Sequence, residues 1–539
     1  MPTDEALNQP PPLEVNLFAA DRVLREAVDR EGASWARAQL LELGQLAGSR
    51  AAQVWATQAN ENPPRLRTHD RYGSRIDEVE FHPAWHELMR VAVAHGIHCL
   101  PWEEDREGAH VARAALMFLD SQCEQGHGCP ISMTYSSVPA LRRQPELADE
   151  WEPRIATRTY DPRFVPAAQK SGALIGMAMT EKQGGSDVRA NTTRAARDGE
   201  AWRLTGHKWF CSAPMSDAFL VLAQAPGGLS CFLLPRWTPD GARNRFFLQR
   251  LKDKLGNRSN ASSEVELDGA WARLVGEEGR GVPTILEMVN HTRLDCVLGA
   301  AAVLRQAQWQ AAHHCAYRRA FGKRLVEQPL MRNVLADLCV ESEAALLLAI
   351  RLARAYDRPE ESAFRRIATA VSKYWVCKRA PAGVGEALEC LGGNGYVEES
   401  GLPRLYREAP LNSIWEGSGN VICLDVLRAV SKEPAAVEAL FAELRKARGA
   451  DRRLDAHLES TEALLAGAEE GQARRLVEAL ALALQGTLLA LHGPKEVADA
   501  FCASRLSGDW GRTLGTLPRG ADLAALVDRA QPVQKLDEK

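Results

Sequence analysis

One segment of the sequence combines hydroxyl side chains with paired glycines. Residues Met177–Asp187 read MAMTEKQGGSD, so the hydroxyls of Thr180 and Ser186 stand on either side of Gly184 and Gly185. Glycine lets the backbone approach a planar or phosphorylated ligand closely, and hydroxyl and backbone groups can donate hydrogen bonds to it. The alternative interpretation is a Gly-Gly turn that ends in a capping Ser-Asp pair.

An aromatic pair follows in the segment Gly206–Ser212, which reads GHKWFCS. Trp209 and Phe210 stand there next to Cys211 and the hydroxyl of Ser212. The aromatic residues favour a strand, and an aromatic pair in a strand usually belongs to the core. The segment therefore predicts a strand that carries either core packing or an aromatic wall for a ligand.

A glutamate lies in the last glycine-rich motif of this set. Leu391–Tyr396 reads LGGNGY, and Pro403–Asn420 reads PRLYREAPLNSIWEGSGN, with Glu416 between Trp415 and Gly417. A carboxylate in a dry pocket has a raised pKa and can act as a general base. The alternative is that Glu416 only caps the first turn of a following helix through the helix dipole.

The order and spacing of these four motifs resemble the acyl-CoA dehydrogenase superfamily over roughly residues 80–430. The stretches FHPAWH (Phe81–His86), WEED (Trp102–Asp105) and LGNRSNA (Leu255–Ala261), the full length and the added C-terminal helices are similar to its AidB-type branch. That branch is associated with the bacterial adaptive response to DNA alkylation. The resemblance implies an α+β fold with an N-terminal α-helical domain, a middle β-barrel or sheet domain, a C-terminal helical bundle and an extra C-terminal α-helical domain.

The resemblance also implies FAD as the cofactor and a homotetramer arranged as a dimer of dimers. Thr180 would hydrogen-bond the flavin ring and Ser186 the pyrophosphate, while Trp209 or Phe210 would pack against the ring. Arg318 would reach the FAD of a neighbouring subunit with a paired-donor fork. The cofactor-binding residues predicted in this way are Met179, Thr180, Gly185, Ser186, Trp209, Phe210, Cys211, Ser212, Arg318, Phe321, Trp415, Gly417, Ser418 and Asn420.

For catalysis the resemblance implies that Glu416 removes the α-proton of an acyl-CoA thioester while hydride leaves the β-carbon for the flavin. Arg293 matches the active-site arginine of the family, or else it holds a structural ion pair. The chain departs from the usual family pattern at Asn260–Ser262, at Glu389, where a glutamine is usual, and at Pro329. We therefore expect weak dehydrogenase activity on a short or branched acyl-CoA.

The C-terminal segment, residues 431–539, has 15 Lys or Arg against 17 Asp or Glu, a net charge of −2. Within it, Leu444–Arg453 has five positive charges and one negative charge, and Arg445, Arg448 and Arg452 have the spacing of one helix face. The resemblance implies sequence-tolerant binding of double-stranded DNA, whereas the residues alone favour a solvated helix face. The predicted DNA-binding residues are Arg445, Lys446, Arg448, Arg452, Arg453, Arg505, Arg512 and Arg519.

The composition is that of an ordinary globular protein. Of 539 residues 45% are hydrophobic, and 66 Lys plus Arg against 70 Asp plus Glu give a formal charge of −4, which excludes a globally basic protein. The twelve cysteines are scattered, so free thiols are favoured over a metal site, also at Cys123, His127 and Cys129. The acidic, proline-rich start and the short apolar run Ala479–Leu491 predict no signal peptide, no membrane span and a cytoplasmic location.

The texture of the sequence predicts four domains. They are an N-terminal helical domain with its leader (1–171), a β domain (172–281), a helical bundle (282–430) and an extra helical domain that is the candidate for DNA binding (431–539). Three other functions stay open on this scaffold. They are a metabolic acyl-CoA dehydrogenase without a DNA role, a flavin oxidase or monooxygenase, and a DNA-protective protein whose flavin core is a scaffold or scavenger.

Overall fold

The structure, a computed structural model, describes residues 7–533 of the chain. Its helices follow the apolar periodicity of the sequence at both ends of the chain. They are α1 (Leu17–Ala20), α2 (Arg22–Arg30), α3 (Arg37–Ala47), α4 (Arg50–Glu61), α5 (Pro83–Ala94), α6 (Leu100–Glu103), α7 (Ala109–Cys123), α8 (Gly128–Leu141), α9 (Pro145–Ile155), α10 (Gly281–Tyr317), α11 (Pro329–Asp357), α12 (Ser362–Cys390), α13 (Leu402–Glu408), α14 (Gly419–Lys432), α15 (Pro434–Leu444), α16 (Arg452–Ala466), α17 (Ala473–His492), α18 (Lys495–Phe501) and α19 (Leu523–Ala530).

The strands concentrate in the middle of the chain. They are β1 (Arg65–His69), β2 (Arg75–Glu80), β3 (Ile175–Ala178), β4 (Arg194–Asp198), β5 (Ala201–Ser212), β6 (Ala218–Ala225), β7 (Gly228–Pro235), β8 (Phe246–Leu251), β9 (Ser262–Val275), β10 (Arg319–Ala320) and β11 (Lys323–Arg324). The middle strands form one sheet in the order β3-β6-β4-β5-β9-β7, with β8 on β9. An additional β6–β7 pairing closes part of this sheet into a barrel. The predicted α+β fold class is confirmed.

Aromatic side chains fill the interior of the barrel. Trp202, Phe219, Phe232 and Phe246 are each at most 2% exposed, and the rings of Phe219 and Phe246 stack with centroids 5.1 Å apart. Aromatic residues suit the pleated surface of a strand and bury large apolar areas. The barrel is therefore a rigid support for the loops at the ends of its strands.

The N-terminal region contains a charge-rich segment after Pro63 and Pro64 whose composition is typical of a loop. The residues there form the antiparallel hairpin β1–β2. In its turn, Oδ1 of Asp70 accepts hydrogen bonds from the backbone N–H groups of Tyr72 and Ser74 at 2.8 and 2.9 Å. Because the hairpin strands are mostly charged, the apolar alternation that usually marks a strand is weak in this segment.

The described residues group into two compact units. A barrel unit comprises Ala51–Ala109 and Cys123–Asp295, and a helical unit comprises the residues up to Arg50, His110–Gln122 and those from Cys296. The predicted four-domain division stays a prediction. One described region, Glu470–His492, is long and apolar enough to span a bilayer, and 72% of its apolar window is buried inside the protein, as in a core helix.

Candidate functional site

The hydroxyl–glycine segment and the aromatic strand of the barrel unit lie against each other. The backbone N–H of Trp209 donates to the carbonyl of Thr180 at 2.9 Å. A Cβ at Gly185 would stand 2.7 Å from Oγ1 of Thr180, which is closer than real Cβ contacts allow. Glycine at this position therefore leaves the Thr180 hydroxyl uncovered, and the structure brings Thr180, Gly185 and Trp209 together as one surface.

A buried ion pair fixes this segment to the barrel. Nζ of Lys208 lies 2.9 Å from Oε1 of Glu181, and both side chains are 0% exposed. The ammonium also donates to the carbonyl of Leu222 at 2.8 Å, and the Glu181 carboxylate accepts from the backbone N–H groups of Thr192 and Thr193. Burial alone would raise the pKa of Glu181, but Lys208 and these hydrogen bonds outweigh it and hold the pKa at about 2.

The aromatic pair occupies a β-bulge. The register of β5 against β9 shifts between Lys208 and Cys211, so Trp209 and Phe210 fall outside the regular ladder. Bulges re-aim side chains and are frequent beside active sites. Phe210 is 51% exposed, and the Lys252 ammonium lies 3.7 Å from the ring centroid of Trp209 and 4.4 Å from that of Phe210. The pair thus forms a cation-capped aromatic surface rather than core packing.

The neighbouring predicted residues differ in accessibility. Ser186 is exposed, and Ser212 is half-buried with its hydroxyl 3.5 Å from that of Ser262. The carbonyl of Met179 accepts from the Asn191 amide at 2.9 Å. Cys211 is 0% exposed, points into the barrel core, and has its thiol pKa raised to about 12 by burial. The strand alternation at this position turns the Cys211 side chain inward, and the predicted part of Cys211 in cofactor binding stays a prediction.

In the helical unit, Glu416 sits on an irregular turn. Its φ is +57°, a value that residues other than glycine rarely adopt, and Gly417 follows with φ +108°. The buried ammonium of Lys373 on α12 donates to the carbonyls of Asn412 and Gly417 at 3.0 and 2.8 Å. Nε1 of Trp415 donates to Oδ1 of Asn412 at 2.8 Å. The half-buried Glu416 carboxylate thus lies on a turn whose backbone carbonyls are bound by the Lys373 ammonium.

The helix after Glu416 begins at Gly419, with Ser418 as its N-cap residue. Oδ1 of Asn420 accepts a 2.8 Å hydrogen bond from Nε of Arg474 on α17. Of the remaining predictions, Arg293 on α10 is 7% exposed, whereas Glu389 at the end of α12 is exposed. The Glu389 side chain has no ion-pair partner within residues 7–533.

Arg318 and Phe321 lie at the small hairpin β10–β11. Nη1 of Arg318 donates to the backbone carbonyl of Asn8 at 2.8 Å. Phe321 forms the tip of the hairpin with φ +52° and is 97% exposed. A phenyl ring left fully in water is unfavourable, so the hairpin tip is a candidate contact for a second molecule.

The structure corrects part of the predicted DNA-binding set. Arg505 is buried, forms ion pairs with Asp337 and Glu341 and lies in the helical turn Cys502–Leu506. Arg445, Arg448 and Arg452 do not share one helix face, because α15 ends at Leu444 and Gly449, with φ +84°, turns the chain before α16 begins. The prediction of one shared helix face was therefore wrong, while the DNA-binding role of the buried Arg505 stays a prediction.

The other predicted arginines divide into paired and unpaired groups. Arg445 pairs with Glu438 and Glu462, Lys446 with Glu443, and Arg453 with Asp451 and Asp499. Arg448, Arg452, Arg512 and Arg519 are exposed, and their side chains have no hydrogen-bond or ion-pair partner in the part of the chain that the structure describes.

The described residues contain no group of three or more His, Cys, Asp or Glu side chains that could hold a metal ion. In the Cys123–Cys129 segment, Nδ1 of His127 lies 2.8 Å from the buried carboxylate of Glu124. All twelve cysteines are buried free thiols, as predicted from their scattered positions.

Sequence reasoning missed the residues that position the site, namely Glu181, Lys208, Lys252, Lys373 and Arg474. Lys208 did leave a signal, because it stands four and six residues after the inward-facing Leu204 and Trp202 of β5, at a position where a charged side chain requires a buried partner. Lys373 left a weaker one, as a lysine within an apolar stretch of α12.

Comparison with known proteins agrees with this architecture. The chain matches the adaptive response protein AidB N-terminal domain at residues 8–162, the acyl-CoA dehydrogenase middle domain at residues 176–270 and the acyl-CoA dehydrogenase C-terminal domain at residues 279–431. The chain therefore belongs to the acyl-CoA dehydrogenase family and, within it, to the AidB branch.

Individual relatives place it more closely. The chain is 47% identical over 508 residues to the putative acyl-CoA dehydrogenase AidB of Escherichia coli, covering 93% of this chain and 94% of that protein. The solved structure of Caenorhabditis elegans ACDH-11 in complex with C11-CoA is 28% identical, with a TM-score of 0.84 over 99% of this chain and 94% of that one. An acyl-CoA dehydrogenase complexed with FAD from Bacillus anthracis shares the fold at 18% identity, with a TM-score of 0.65 over 84% of this chain and 87% of that one.

The buried pair leads to a stability prediction. Lys208→Met leaves the Glu181 carboxylate buried without its counter-charge, so the free energy of unfolding should fall by about 3–5 kcal/mol. Urea denaturation followed by tryptophan fluorescence measures the change, and the double variant Glu181→Gln/Lys208→Met should recover most of it. Since the pKa of Glu181 is about 2 in the folded state and ordinarily 4.5, the wild-type contribution should be complete above pH 4.5 and lost as the pH falls toward 2. Equal unfolding energies for Lys208→Met and wild type would contradict this.

The turn that carries Glu416 gives a second prediction. Lys373→Met leaves the carbonyls of Asn412 and Gly417 without their donor, at a cost of about 1–3 kcal/mol for each buried group. Hydrogen–deuterium exchange at residues 412–417 should accelerate relative to α16. The matched control is Lys378→Met, an exposed lysine on the same helix, which should leave the exchange unchanged. Unaltered exchange in Lys373→Met would show that the turn is held by other contacts.

Proposed function

We propose that this protein binds FAD and dehydrogenates acyl-CoA thioesters weakly, with a preference for short or branched chains. The observation that carries the proposal is the placement of Glu416 on a turn with positive φ, held by the buried Lys373, in a member of the acyl-CoA dehydrogenase family. The relative solved in complex with C11-CoA supports an acyl-CoA ligand.

The residues of the barrel unit fit a flavin. A Cβ at Gly185 would fill the space beside the Thr180 hydroxyl, so glycine keeps that space open for a ligand. The hydroxyls of Thr180 and Ser186 offer hydrogen-bond donors to a planar anionic ligand. The rings of Trp209 and Phe210 offer it a stacking face. Bound FAD would accept a hydride from the acyl chain. The solved family member complexed with FAD supports this cofactor.

The role of Glu416 is to hold and move one proton. Its carboxylate takes the proton from the α-carbon of the thioester, and the half-buried position beside Trp415 limits the water around it. Lys373 acts as a positioning residue because its ammonium donates hydrogen bonds to the backbone carbonyls of the turn that carries Glu416. The convergence of Glu416 with Thr180, Ser186 and Trp209 stays a prediction, as does the role of the buried Arg293.

Flavin reduction tests the catalytic proposal. Anaerobic addition of short, branched and medium-chain acyl-CoAs to the FAD-loaded protein should bleach the flavin absorption, and Glu416→Gln should abolish bleaching without loss of FAD. The control is Glu459→Gln, an exposed glutamate on α16 that should leave bleaching intact. Full bleaching in Glu416→Gln contradicts the role of Glu416, and substrate-dependent oxygen consumption without acyl-CoA would favour an oxidase.

We further propose that the protein binds double-stranded DNA and acts in the response to DNA alkylation. The match to the adaptive response protein AidB N-terminal domain supports the biological role. DNA contact is supported by four exposed arginines, Arg448, Arg452, Arg512 and Arg519. None of their guanidinium groups has a partner among the described residues, so each can bind a phosphate oxygen. Such contacts recognise phosphates and not base sequence.

A salt titration tests DNA binding. Affinity for a duplex should fall steeply with salt, and Arg448→Ala/Arg452→Ala should reduce the slope of log K against log salt by about 2. Arg445→Ala/Arg453→Ala is the matched control, with a smaller expected effect because both arginines are already paired with carboxylates. Absence of binding at low salt, or equal slopes for wild type and the first variant, would overturn the proposal.

The proposed assembly is a cytoplasmic homotetramer arranged as a dimer of dimers. Its support is the set of large apolar side chains that the helical unit leaves in water, including Phe321 at 97%, Leu330 at 84% and Tyr396 at 83% exposure. Burying such side chains between copies of the chain is favourable. Arg318 and Phe321 would then serve the cofactor of a neighbouring subunit.

A further inference from the structure

A cavity of the barrel unit has the composition of an anion-binding site. It has a volume of about 280 Å³ and lies beside the β1–β2 hairpin and the start of β8. Its lining includes Arg75, Arg236, Arg243 and Arg245, against Asp77 as the one acidic side chain among the described lining residues. It shares no residue with the surface around Thr180 and Trp209. We call it the arginine cavity.

Most of these arginines already have a carboxylate. Nε of Arg75 lies 2.8 Å from Oδ2 of Asp77, Nη2 of Arg243 lies 3.2 Å from Oε1 of Glu78, and Arg245 pairs with Asp268. Their charges are therefore largely balanced by the protein itself, although each keeps further N–H groups.

Arg236 is the exception. It is 3% exposed, yet no carboxylate within residues 7–533 lies at ion-pair distance from it. Its Nη1 donates to the carbonyl of Pro214, and its guanidinium carbon lies 4.7 Å from the ring centroid of Phe164 and 4.5 Å from that of Phe246. Burial lowers its pKa to about 10, so it is still charged at neutral pH. A buried charge of this kind is costly unless an anion compensates it.

A second guanidinium reaches the same aromatic ring. The guanidinium carbon of Arg243 lies 4.9 Å from the centroid of Phe164, and its positive charge contributes to lowering the Arg236 pKa. Two like charges that face one ring repel each other, and a multivalent oxyanion relieves that repulsion. Arginine forks match the geometry of phosphoryl oxygens.

The cavity also offers an acceptor. Oδ1 of Asp77 is buried without a hydrogen-bond partner among the described residues, and the residue is 6% exposed with φ +46°. A buried acceptor without a donor costs free energy, and a ligand hydroxyl would satisfy it. A ligand that complements both features therefore carries an anionic group and a hydroxyl.

We propose that the arginine cavity binds a small phosphorylated hydroxy compound, with its phosphoryl group on Arg236 and Arg243 and a hydroxyl donating to Oδ1 of Asp77. A sugar phosphate and a nucleoside monophosphate share this chemistry. The walls provided by Phe164, Phe246 and Phe247 would cover the apolar part of either ligand.

Calorimetric titration of the full-length protein tests the proposal with ribose 5-phosphate, AMP, ribose and inorganic phosphate as probes. Ribose 5-phosphate should bind at least tenfold more tightly than inorganic phosphate, and ribose should not bind. If AMP binds more tightly than ribose 5-phosphate, the ligand is a nucleotide. If AMP binds more weakly, the ligand is a sugar phosphate. Failure of both phosphorylated probes to bind overturns the proposal.

Three variants locate the binding. Arg236→Met should weaken ribose 5-phosphate binding about tenfold or more, because a charge-assisted hydrogen bond is lost, whereas Arg203→Met, an exposed arginine paired with Asp198, should bind as wild type. Asp77→Asn should reduce the difference in affinity between ribose 5-phosphate and inorganic phosphate, and asparagine tolerates the positive φ at this position. If Arg236→Met fails to fold, Arg243→Gln, at the partly exposed rim of the arginine cavity, provides the same test. Undiminished binding in Arg236→Met and Arg243→Gln overturns the assignment.

Discussion

In each of the two units, a buried lysine ammonium binds backbone next to predicted site residues. Lys208 joins the Glu181 carboxylate to the carbonyl of Leu222 in the barrel unit, and Lys373 joins the carbonyls of Asn412 and Gly417 in the helical unit. Irregular backbone leaves carbonyls that no ladder or helix satisfies, and an ammonium with its donors in three directions can bind several of them. The desolvation of each charge is the cost of that arrangement.

The barrel could be predicted from the sequence because its strands are apolar and bounded by turn residues. The predicted strand at Gly206–Ser212 falls within β5, and β3 to β9 all lie within the predicted β domain at 172–281. The aromatic pair was placed correctly in β5, but its role depends on the bulge between Lys208 and Cys211, which arises from pairing with β9. Register against a distant strand is not encoded in local spacing, so local patterns could not distinguish the outward Phe210 from the inward Cys211.

The C-terminal arginines show why charge counting failed there. Five positive charges in Leu444–Arg453 indicated a basic patch, but carboxylates from other turns and helices pair with Arg445, Lys446 and Arg453. Arg505 was more misleading, because its acidic partners Asp337 and Glu341 lie on α11, far away in sequence. The effective charge of a short sequence segment therefore depends on its partners in the folded structure. Only the arginines without such partners keep their charge available to a phosphate.

Lys208 and Arg236 are buried cations of the same barrel unit, and comparing them shows how a paired charge differs from an unpaired one. Lys208 has the Glu181 carboxylate at 2.9 Å and needs no further anion. Arg236 has a carbonyl and two aromatic faces, which attract a cation but do not neutralise it. Because its pKa of about 10 keeps it charged at neutral pH, the fold bears the cost of an uncompensated charge at the arginine cavity. An anion bound there would recover part of that cost, so the same desolvation that makes Lys208 a structural anchor makes Arg236 a binding group.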